Sequence, residues 1–406
     1  MRTYRELFRT PEFTPLFFAT SAQVAAGTMS GLALGSLVYA ATRSALLSAL
    51  SMFGPSFAQL LGATTLLSAV DRLPPRAVLG TIAAVYTVGT AAVAAPGMPL
   101  WGRFALVMAL GLAGSMGGAV RWGLLSEILP EGGYVLGRSV FNMSVGVMQI
   151  AGFAAGGALL AVLSPPAALL TAAGLYLSAV VVIRTGLTRR PPRAAGRPSV
   201  RETWRVNTRL WSHAPRRHVY LALWVPNGLV VGCEALYVPY APDAAGALFV
   251  SGALGMLAAD TALGRFVPAE TRGRLVTPLR LLLAAPYLLF ALPLPLPVAV
   301  AAVAVASAGF GASLLLQDRL VALTPGEMRG QALGLHSSGM MAMQAIGASL
   351  AGLTAQFVPP GTAMVLMAGA SLAVTIALTP RLRASAGVRE PAAAGSAAPA
   401  GTTRAG

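Results

Sequence analysis

The sequence predicts an all-α integral membrane protein whose twelve transmembrane helices form two parallel six-helix repeats. Three observations support this prediction: an apolar composition, twelve apolar stretches of membrane-spanning length, and a pattern of Gly, Pro and Gln that recurs after 195 residues. Of the 406 residues, 56% are hydrophobic and 10% are charged, whereas soluble domains carry roughly 25% charged residues. With a mean hydropathy of +0.70, an ordinary soluble domain is excluded.

The apolar stretches have the length that crossing a membrane requires. A hydrocarbon core about 30 Å thick takes about 20 apolar residues per helix. The first stretch is too long and too rich in glycine for a cleaved signal sequence, so we expect it to stay in the protein. The predicted helices lie at 13–40, 44–70, 76–97, 101–127, 136–163, 165–184, 219–241, 244–266, 275–295, 297–320, 329–357 and 360–380.

The net charge of +16 predicts an orientation in the membrane. Its 29 Lys and Arg residues are all Arg, and with the N-terminus in the cytoplasm all but Arg43 and Arg103 fall in cytoplasmic segments. This positive-inside bias predicts an even number of spans with both termini cytoplasmic. The charge is explained by this topology and by anionic lipids of the cytoplasmic leaflet, so we expect no nucleic-acid partner. The Lys-free, Ala-rich composition suggests a high-GC genome and therefore a bacterial cell membrane.

The chain divides into two halves. Residues 185–218 interrupt the apolar pattern with a long, Arg-rich, Pro-containing stretch, which we interpret as a basic cytoplasmic linker. It separates an N-terminal six-helix half, 1–184, from a C-terminal half, 219–382. The tail, 383–406, is rich in Ala, Gly, Pro and Ser and is predicted to be a disordered cytoplasmic segment.

A repeat relates the two halves. Matched Gly, Pro and Gln positions are more telling than matched Ala or Leu in so apolar a chain. Because each half has an even number of helices, equivalent helices run in the same direction, an arrangement that places a cavity between the halves. A shift of 195 positions aligns Pro130 with Pro325, Gln149 with Gln344, Gly152 with Gly347, Gly157 with Gly352, Pro165 with Pro360 and Gly174 with Gly369.

Three short motifs resemble those of the major facilitator superfamily. The connection 67–76, LSAVDRLPPR, is similar to its Gly-x-x-x-Asp-Arg-x-Gly-x-Arg signature, with Leu67 and Pro74 in place of glycines. Residues 152–157, GFAAGG, resemble the Gly-Pro-x-x-Gly-Gly motif of its proton-coupled exporters, with Phe153 in place of proline. Residues 325–330, PGEMRG, resemble its turn into the eleventh helix. Across nearly the whole chain, the sequence thus resembles a proton-coupled efflux permease.

The resemblance implies a gate that latches the cytoplasmic side. A cytoplasmic Asp accepts hydrogen bonds at a helix N-terminus, and Arg pairs with acids on neighbouring helix ends. The alternative is that these are ordinary interfacial charges satisfied by water, because positive-inside loops always contain Arg. The gate candidates are Asp71, Arg72, Arg76 and Glu127 in the first half, and Arg265, Asp318 and Arg319 in the second.

Two carboxylates within predicted spans are candidates for proton coupling. Ionisable groups inside a bilayer are costly, so each suggests a function. Glu234 lies in the seventh helix, far from the Arg clusters, where it could bind and release a proton as the cavity changes sides. A structural, hydrogen-bonded carboxyl is the alternative. Asp260, in the eighth helix, is about one turn from Arg265 and could instead form an interfacial ion pair with it.

The family resemblance also implies which helices line the substrate cavity, namely the first, fourth, seventh and tenth. Arg103 has an alternative role, since its side chain can reach the membrane interface. Gly152, Gly156 and Gly157 are predicted to form a helix-packing motif, as are Gly27, Gly31 and Gly35 on the first helix and Gly114 and Gly118 on the fourth. The predicted cavity residues are Gln23, Arg103, Ser115, Asn227, Tyr237 and Gln317.

The composition excludes several kinds of chemistry. A single cysteine, Cys233, excludes an intramolecular disulfide and a Cys-based metal site. The absence of Lys excludes a phosphate-binding P-loop and a Schiff base. The three His do not form a metal-binding motif. We therefore predict neither an enzyme nor a bound metal or cofactor.

These observations together predict a monomeric secondary transporter. The favoured function is proton-coupled export of a small amphipathic or hydrophobic compound by alternating access. One alternative keeps the fold and makes the protein an importer or facilitator of a small nutrient. The other is a membrane sensor that binds a ligand without transporting it.

Overall fold

The computed structural model describes residues 4–65, 73–129, 133–191, 200–325 and 328–384. Within these ranges all regular secondary structure is helical. Short 3₁₀ helices follow α13 (Ala285–Ala291) and α14 (Gly309–Gly311). The α-helices are α1 (Tyr4–Phe8), α2 (Phe13–Thr42), α3 (Ala45–Thr65), α4 (Pro75–Val93), α5 (Leu100–Gly114), α6 (Gly117–Ile128), α7 (Tyr134–Val162), α8 (Pro165–Gly186), α9 (Val200–Ser212), α10 (Ala214–Ala235), α11 (Tyr237–Tyr240), α12 (Ala245–Phe266), α13 (Ala269–Ala284), α14 (Leu296–Ala308), α15 (Ala312–Ala322), α16 (Arg329–Thr354) and α17 (Pro360–Ala384).

Local sequence explains where several helices begin and end. Pro75, Pro165 and Pro360 are the first residues of their helices; proline suits this position because its φ is already helical and an N–H there would have no helical acceptor. Helix α2 ends at Arg43, whose left-handed φ of 53° stops the helix while its N–H bonds to Tyr39 O. The chain then turns directly into α3.

Ten helical stretches in the described part of the chain are long and apolar enough to cross a membrane. Two predicted spans differ from the rest. The fourth is divided at Ser115 and Met116 into α5 and α6, and α5 alone has only 15 residues. The eleventh, α16, is less apolar because it carries His336 and Gln344. The protein is a multi-pass helical membrane protein, and the full count of twelve spans remains a prediction.

The helix ends define two sides of the molecule. The Arg43 side carries the turn between α2 and α3. The linker side carries the start of α2, the end of α8 and the start of α10. Near the linker side the packing separates into two apolar clusters, one around Leu125 and Phe141 and one around Leu223 and Leu320. The first cluster contains residues of the first half and Leu187 just after it, and the second contains residues of the second half only.

Near the Arg43 side, by contrast, the two halves share one core. Leu32 and Ala45 of the first half pack in the same cluster as Val230 and Ala351 of the second. Burial of this common apolar surface holds the halves together on this side. The halves are therefore joined on the Arg43 side and pack separately on the linker side.

Close backbone approaches and polar contacts complete this junction. A Cβ on Gly246 of α12 would lie 2.6 Å from the Cα of Gly157 of α7, and Phe153 stacks on Phe249 with ring centroids 4.5 Å apart. Tyr39 donates a hydrogen bond to Pro239 O at 3.4 Å. Only glycine permits two helices to approach this closely.

Gln356 adds a cap across the same junction. With its amide oxygen turned towards α3, it accepts hydrogen bonds from Ser44 Oγ and from the N–H groups of Ala45 and Leu46, each at 3.2 Å. These two N–H groups belong to the first turn of α3, which lacks partners within its own helix. The end of α16 thus caps the start of α3.

Helices α7 and α16 occupy corresponding registers. They begin at Tyr134 and Arg329, 195 positions apart, and the helices that follow begin at Pro165 and Pro360, again 195 apart. Their glycines meet corresponding helices: Gly152 and Gly347 contact α2 and α10, while Gly157 and Gly352 contact α12 and α3.

The predicted linker contains a helix, α9, that packs on the second half. Leu210 is fully buried with Met328 and Ala332, and Gln331 donates a hydrogen bond to Asn207 at 2.8 Å. At the other end of the linker, Arg190 forms an ion pair with Glu12 at 2.9 Å. Residues 192–199 and most of the predicted tail, 385–406, lie outside the described residues.

Candidate functional site

A cavity of about 850 Å³ lies within the N-terminal half and reaches α16 of the other half. Leu16, Ile82 and Leu110 form part of its apolar wall, and Gln23, Ser56 and Gln59 add polar groups. From the second half, it is lined by Gly330, Leu333, Gly334, Ser337, Ser338 and Met341 of α16. A volume in this range suits a small organic molecule.

The cavity extends to the linker side. Gly330 and Gly334, at the start of α16, and Gly118 of α6 all line it. A Cβ added at any of these three glycines would meet no atom within 4 Å. The α16 and α6 walls are therefore apart here, in contrast to the glycine contacts on the Arg43 side.

Two tyrosines form an aromatic wall inside the first half. Tyr86 and Tyr176 both line the cavity, with ring centroids 5.0 Å apart. A Cβ at Gly27 would lie 3.3 Å from Tyr176 Oη, and one at Gly114 would overlap Tyr86. These two glycines leave room for the tyrosine rings, whereas Gly31 meets no atom within 4 Å and faces the open cavity.

Two cations lie on the cavity wall near the linker side. Arg121 of α6 and Arg138 of α7 both line it. Their guanidinium carbons lie 5.1 Å and 5.4 Å from the centroid of the Trp122 ring, within the range of cation–π attraction. The sequence pattern identifies both arginines only as cytoplasmic charge. Their positions on two different helices gave no signal that they meet at one ring.

The predicted cavity residues separate into two groups. Gln23 and Ser115 line the cavity. Asn227 is buried instead and donates a hydrogen bond to Ser313 at 2.8 Å, and Tyr237 is buried with its hydroxyl 2.5 Å from that of Tyr287. A buried polar group needs a partner, and each finds one within the second half.

The remaining two candidates lie apart from this wall. Arg103 is half-buried near the Arg43 side of α5, and Gln317 is half-buried on α15. Neither is among the described residues that line the cavity. In this conformation the seventh and tenth predicted spans contribute no described residue to the wall, contrary to the expectation from the family resemblance.

The two proton-coupling candidates also lie outside the cavity wall. Glu234 is half-buried near the end of α10. Asp260 is half-buried in α12 while Arg265 is exposed. No ion pair joins this Asp and Arg within the described part of the structure.

The predicted gate residues are only partly described. Asp71 and Arg72 lie outside the described residues. Arg76 donates a hydrogen bond to Arg184 O at the end of α8. Glu127, Arg265 and Asp318 are exposed on the linker side, and Arg319 donates to Leu382 O at 2.6 Å. These two arginines bind carbonyl oxygens at helix ends, where the partial negative charge of the helix favours a cation.

Arg280 is a further buried cation, which the positive-inside pattern counts as cytoplasmic although it falls within the predicted span 275–295. It lies within the second half, 2% exposed, and donates to Ala222 O at 2.6 Å and to Thr375 Oγ1 at 3.3 Å. It thereby joins α13 to α10 and α17. Hydropathy places Arg280 in an apolar stretch but does not show which neighbouring helices its guanidinium contacts.

Within the described ranges, no group of three or more His, Cys, Asp and Glu side chains could hold a metal ion. Cys233 is free and buried. The described residues that line the cavity are neutral or cationic.

The structure is similar to solved transporters. A POT family transporter in complex with a thioalcohol-conjugated peptide matches with a TM-score of 0.71 and 12% identity, over 91% of this chain and 96% of that one. Peptide transporter POT in complex with sulfate matches with a TM-score of 0.70 and 15% identity, over 91% and 94%. A variant of nucleoside transporter NupG matches with 0.72 and 13%, over 91% and 99%. No protein-family model and no curated protein sequence matches the chain.

At these identities the likeness establishes the fold. The chain has the fold of these solved transporters, and the structures it resembles are transporters rather than enzymes. Fold similarity does not identify the substrate or the direction of transport. The matches therefore do not favour an efflux permease over an importer.

Proposed function

We propose that the protein is a secondary active transporter that works by alternating access. The observation that carries this proposal is the asymmetry of the molecule: the halves share a core on the Arg43 side, while the cavity extends to the linker side. A rocking motion that opens the Arg43 side and closes the linker side would expose the same cavity to the other compartment.

The proposed architecture is twelve transmembrane helices in two parallel six-helix repeats. The corresponding registers of α7 and α16 support it, as do the corresponding helices that their glycines meet. The linker side is proposed to be cytoplasmic in a bacterial cell membrane, because Arg43 and Arg103 alone depart from the positive-inside pattern. Its basic surface faces anionic lipid, and the protein is proposed to act as a monomer.

We propose proton-coupled export of a small amphipathic compound as the activity. Apolar lining residues with a few polar groups support an amphipathic substrate, and Glu234 is the proposed proton carrier, with Asp260 second. Asp71, Arg72, Arg76, Glu127, Arg265 and Asp318 are proposed to act in the cytoplasmic gate. Import of a small nutrient is the alternative supported by the fold, since peptide and nucleoside transporters share it.

A reversible crosslink on the Arg43 side tests alternating access. Ser44 and Gln356 face each other across the halves, with Ser44 Oγ 3.2 Å from the side-chain amide of Gln356. In the Ser44→Cys, Gln356→Cys variant, a short bis-methanethiosulfonate should hold this side closed and stop transport, and a reducing agent should restore it. The two single-cysteine variants are matched controls, because buried Cys233 offers them no partner. Undiminished transport after complete crosslinking would exclude the mechanism.

A survival panel identifies the direction and the substrate. An efflux-deficient bacterium would express the protein, or its Glu234→Gln variant at a matched membrane level, and be challenged with toxic compounds. Resistance that the variant lacks would support proton-coupled export. Increased sensitivity would favour the importer. Ligand protection of the purified protein without flux in sealed vesicles would indicate the non-transporting sensor.

A further inference from the structure

We infer that the substrate of this cavity is an amphipathic anion whose negatively charged group is held by Arg121 and Arg138 beside Trp122. This inference rests on the proposed transport function and adds to it the chemical class of the substrate, a carboxylate or a similar small anion with an apolar body.

The geometry concentrates positive charge at one place on the wall. Both guanidinium carbons lie near the Trp122 ring, and the sum of their distances to its centroid, 10.5 Å, is the greatest separation they can have. A single small ligand can span that distance. Nε of Arg121 is buried without a hydrogen-bond partner in the described structure. A buried donor without a partner is unfavourable, so an anion that accepts from this guanidinium would be bound tightly.

Three other arginines on the linker side donate to backbone carbonyl oxygens. Arg76 donates to Arg184 O, Arg319 to Leu382 O, and Arg329 to Thr324 O. Arg121 and Arg138, by contrast, form neither a hydrogen bond nor an ion pair with any described residue. The positive-inside rule explains arginines on this side in general. It does not explain two that face a cavity with their donors available.

The described residues of the wall include positively charged side chains but no negatively charged ones. None of the described residues that line the cavity is Asp or Glu. Glu127, the carboxylate nearest to Arg121 along α6, is exposed and lies off this wall. Two cations without a lining carboxylate make the site electropositive. Arg121 is half-buried and Arg138 is exposed, so the lower local dielectric strengthens mainly the attraction of Arg121 for an anion. The planar fork of Arg matches a carboxylate in particular.

The rest of the wall accounts for the apolar body. Leu16, Ile82 and Leu110 line the cavity together with the neighbouring Tyr86 and Tyr176 rings. Removing an apolar group from water against such a surface favours binding. The arginines can thus bind the charged end of a molecule while the apolar side chains contact its other end.

The test compares three probes of one shape, measured on the purified full-length protein by quenching of Trp fluorescence and by thermal stabilisation. They are naphthalene-2-carboxylate, the neutral naphthalene-2-carboxamide and the cationic naphthalene-2-carboxamidine. We expect the carboxylate to bind at least about tenfold more tightly than the amide, equal to about 1.4 kcal/mol. High salt should weaken this preference.

Variants locate the preference at the proposed arginines. Arg121→Gln and Arg138→Gln should each reduce it severalfold and the double variant should abolish it, whereas Arg189→Gln, an exposed arginine on the same side, should leave it unchanged. Because the preference is a ratio within one protein, a partial loss of folded material does not alter it. A preference below about twofold in the parent protein, its retention in the double variant, or no carboxylate binding would overturn the inference.

Flux measurements separate this inference from the proposed function. Anion preference in binding without flux of any compound in vesicles would overturn transport and keep the anion site. Flux of neutral or cationic compounds that persists in the Arg121→Gln, Arg138→Gln variant would keep transport and overturn the anion site.

Discussion

Gly157 of α7 and Gly246 of α12 meet backbone to backbone, so that a Cβ on Gly246 would lie 2.6 Å from Gly157 Cα. Each glycine belongs to a different half of the chain. Together with the stacked Phe153 and Phe249 rings, this contact closes the Arg43 side. Side chains could not interdigitate at such a distance, so the closeness of the two halves depends on glycine at both positions.

Gly246→Ala is expected to destabilise the closed conformation. The added methyl group meets backbone rather than a flexible side chain, and such overpacking typically costs about 1–3 kcal/mol. Thermal unfolding of the purified protein should show a lower midpoint. Gly174→Ala is the matched control, because a Cβ there meets nothing within 4 Å. Equal stability of the two variants would contradict the close contact.

Asn227→Ala is expected to reduce stability without changing substrate affinity. It removes the hydrogen bond from Asn227 to Ser313, and such bonds between membrane helices contribute roughly 0.6–1.7 kcal/mol. A double-mutant cycle with Ser313→Ala measures this coupling, and the KM for transport should stay the same. A higher KM at unchanged stability would return Asn227 to the substrate site.

Glu234→Gln is expected to abolish accumulation driven by a pH gradient while preserving counterflow of labelled substrate. The amide keeps the size of the side chain but cannot carry a proton, and Glu234 lies away from the cavity wall, so binding should persist. Proteoliposomes with an imposed gradient provide the measurement. Tyr39→Phe, which removes only the weak hydrogen bond to Pro239, controls for changes on the Arg43 side. Gradient-driven accumulation in the Gln variant would exclude Glu234 as the proton carrier.

The ion pair between Glu12 and Arg190 is expected to contribute little. It is 2.9 Å long and partly exposed, and pairs of this kind typically contribute less than about 1 kcal/mol. A double-mutant cycle with Glu12→Gln and Arg190→Gln should give a small coupling energy that decreases as salt rises. A coupling of several kcal/mol would mean that this contact helps to position the start of the linker against the first half.

The sequence by itself determined the class of protein and the approximate bounds of its helices. A bilayer requires about 20 consecutive apolar residues per span, a signal that depends only on local composition. The predicted starts at 165 and 360 coincide with those of α8 and α17, because proline marks the first turn of a helix whatever it packs against. The same local rules missed the break at Ser115, where α5 gives way to α6.

Tertiary structure alone decided which polar residues face the cavity. Gln23 and Asn227 are both amides in apolar spans, but only Gln23 lines the wall, while Asn227 is satisfied by Ser313 on another helix. Arg121 and Arg138 meet at Trp122 only because α6 and α7 pack side by side. Hydropathy measures how much of a helix is apolar. A binding site depends instead on which faces of separate helices meet, and packing between distant parts of the chain determines those faces.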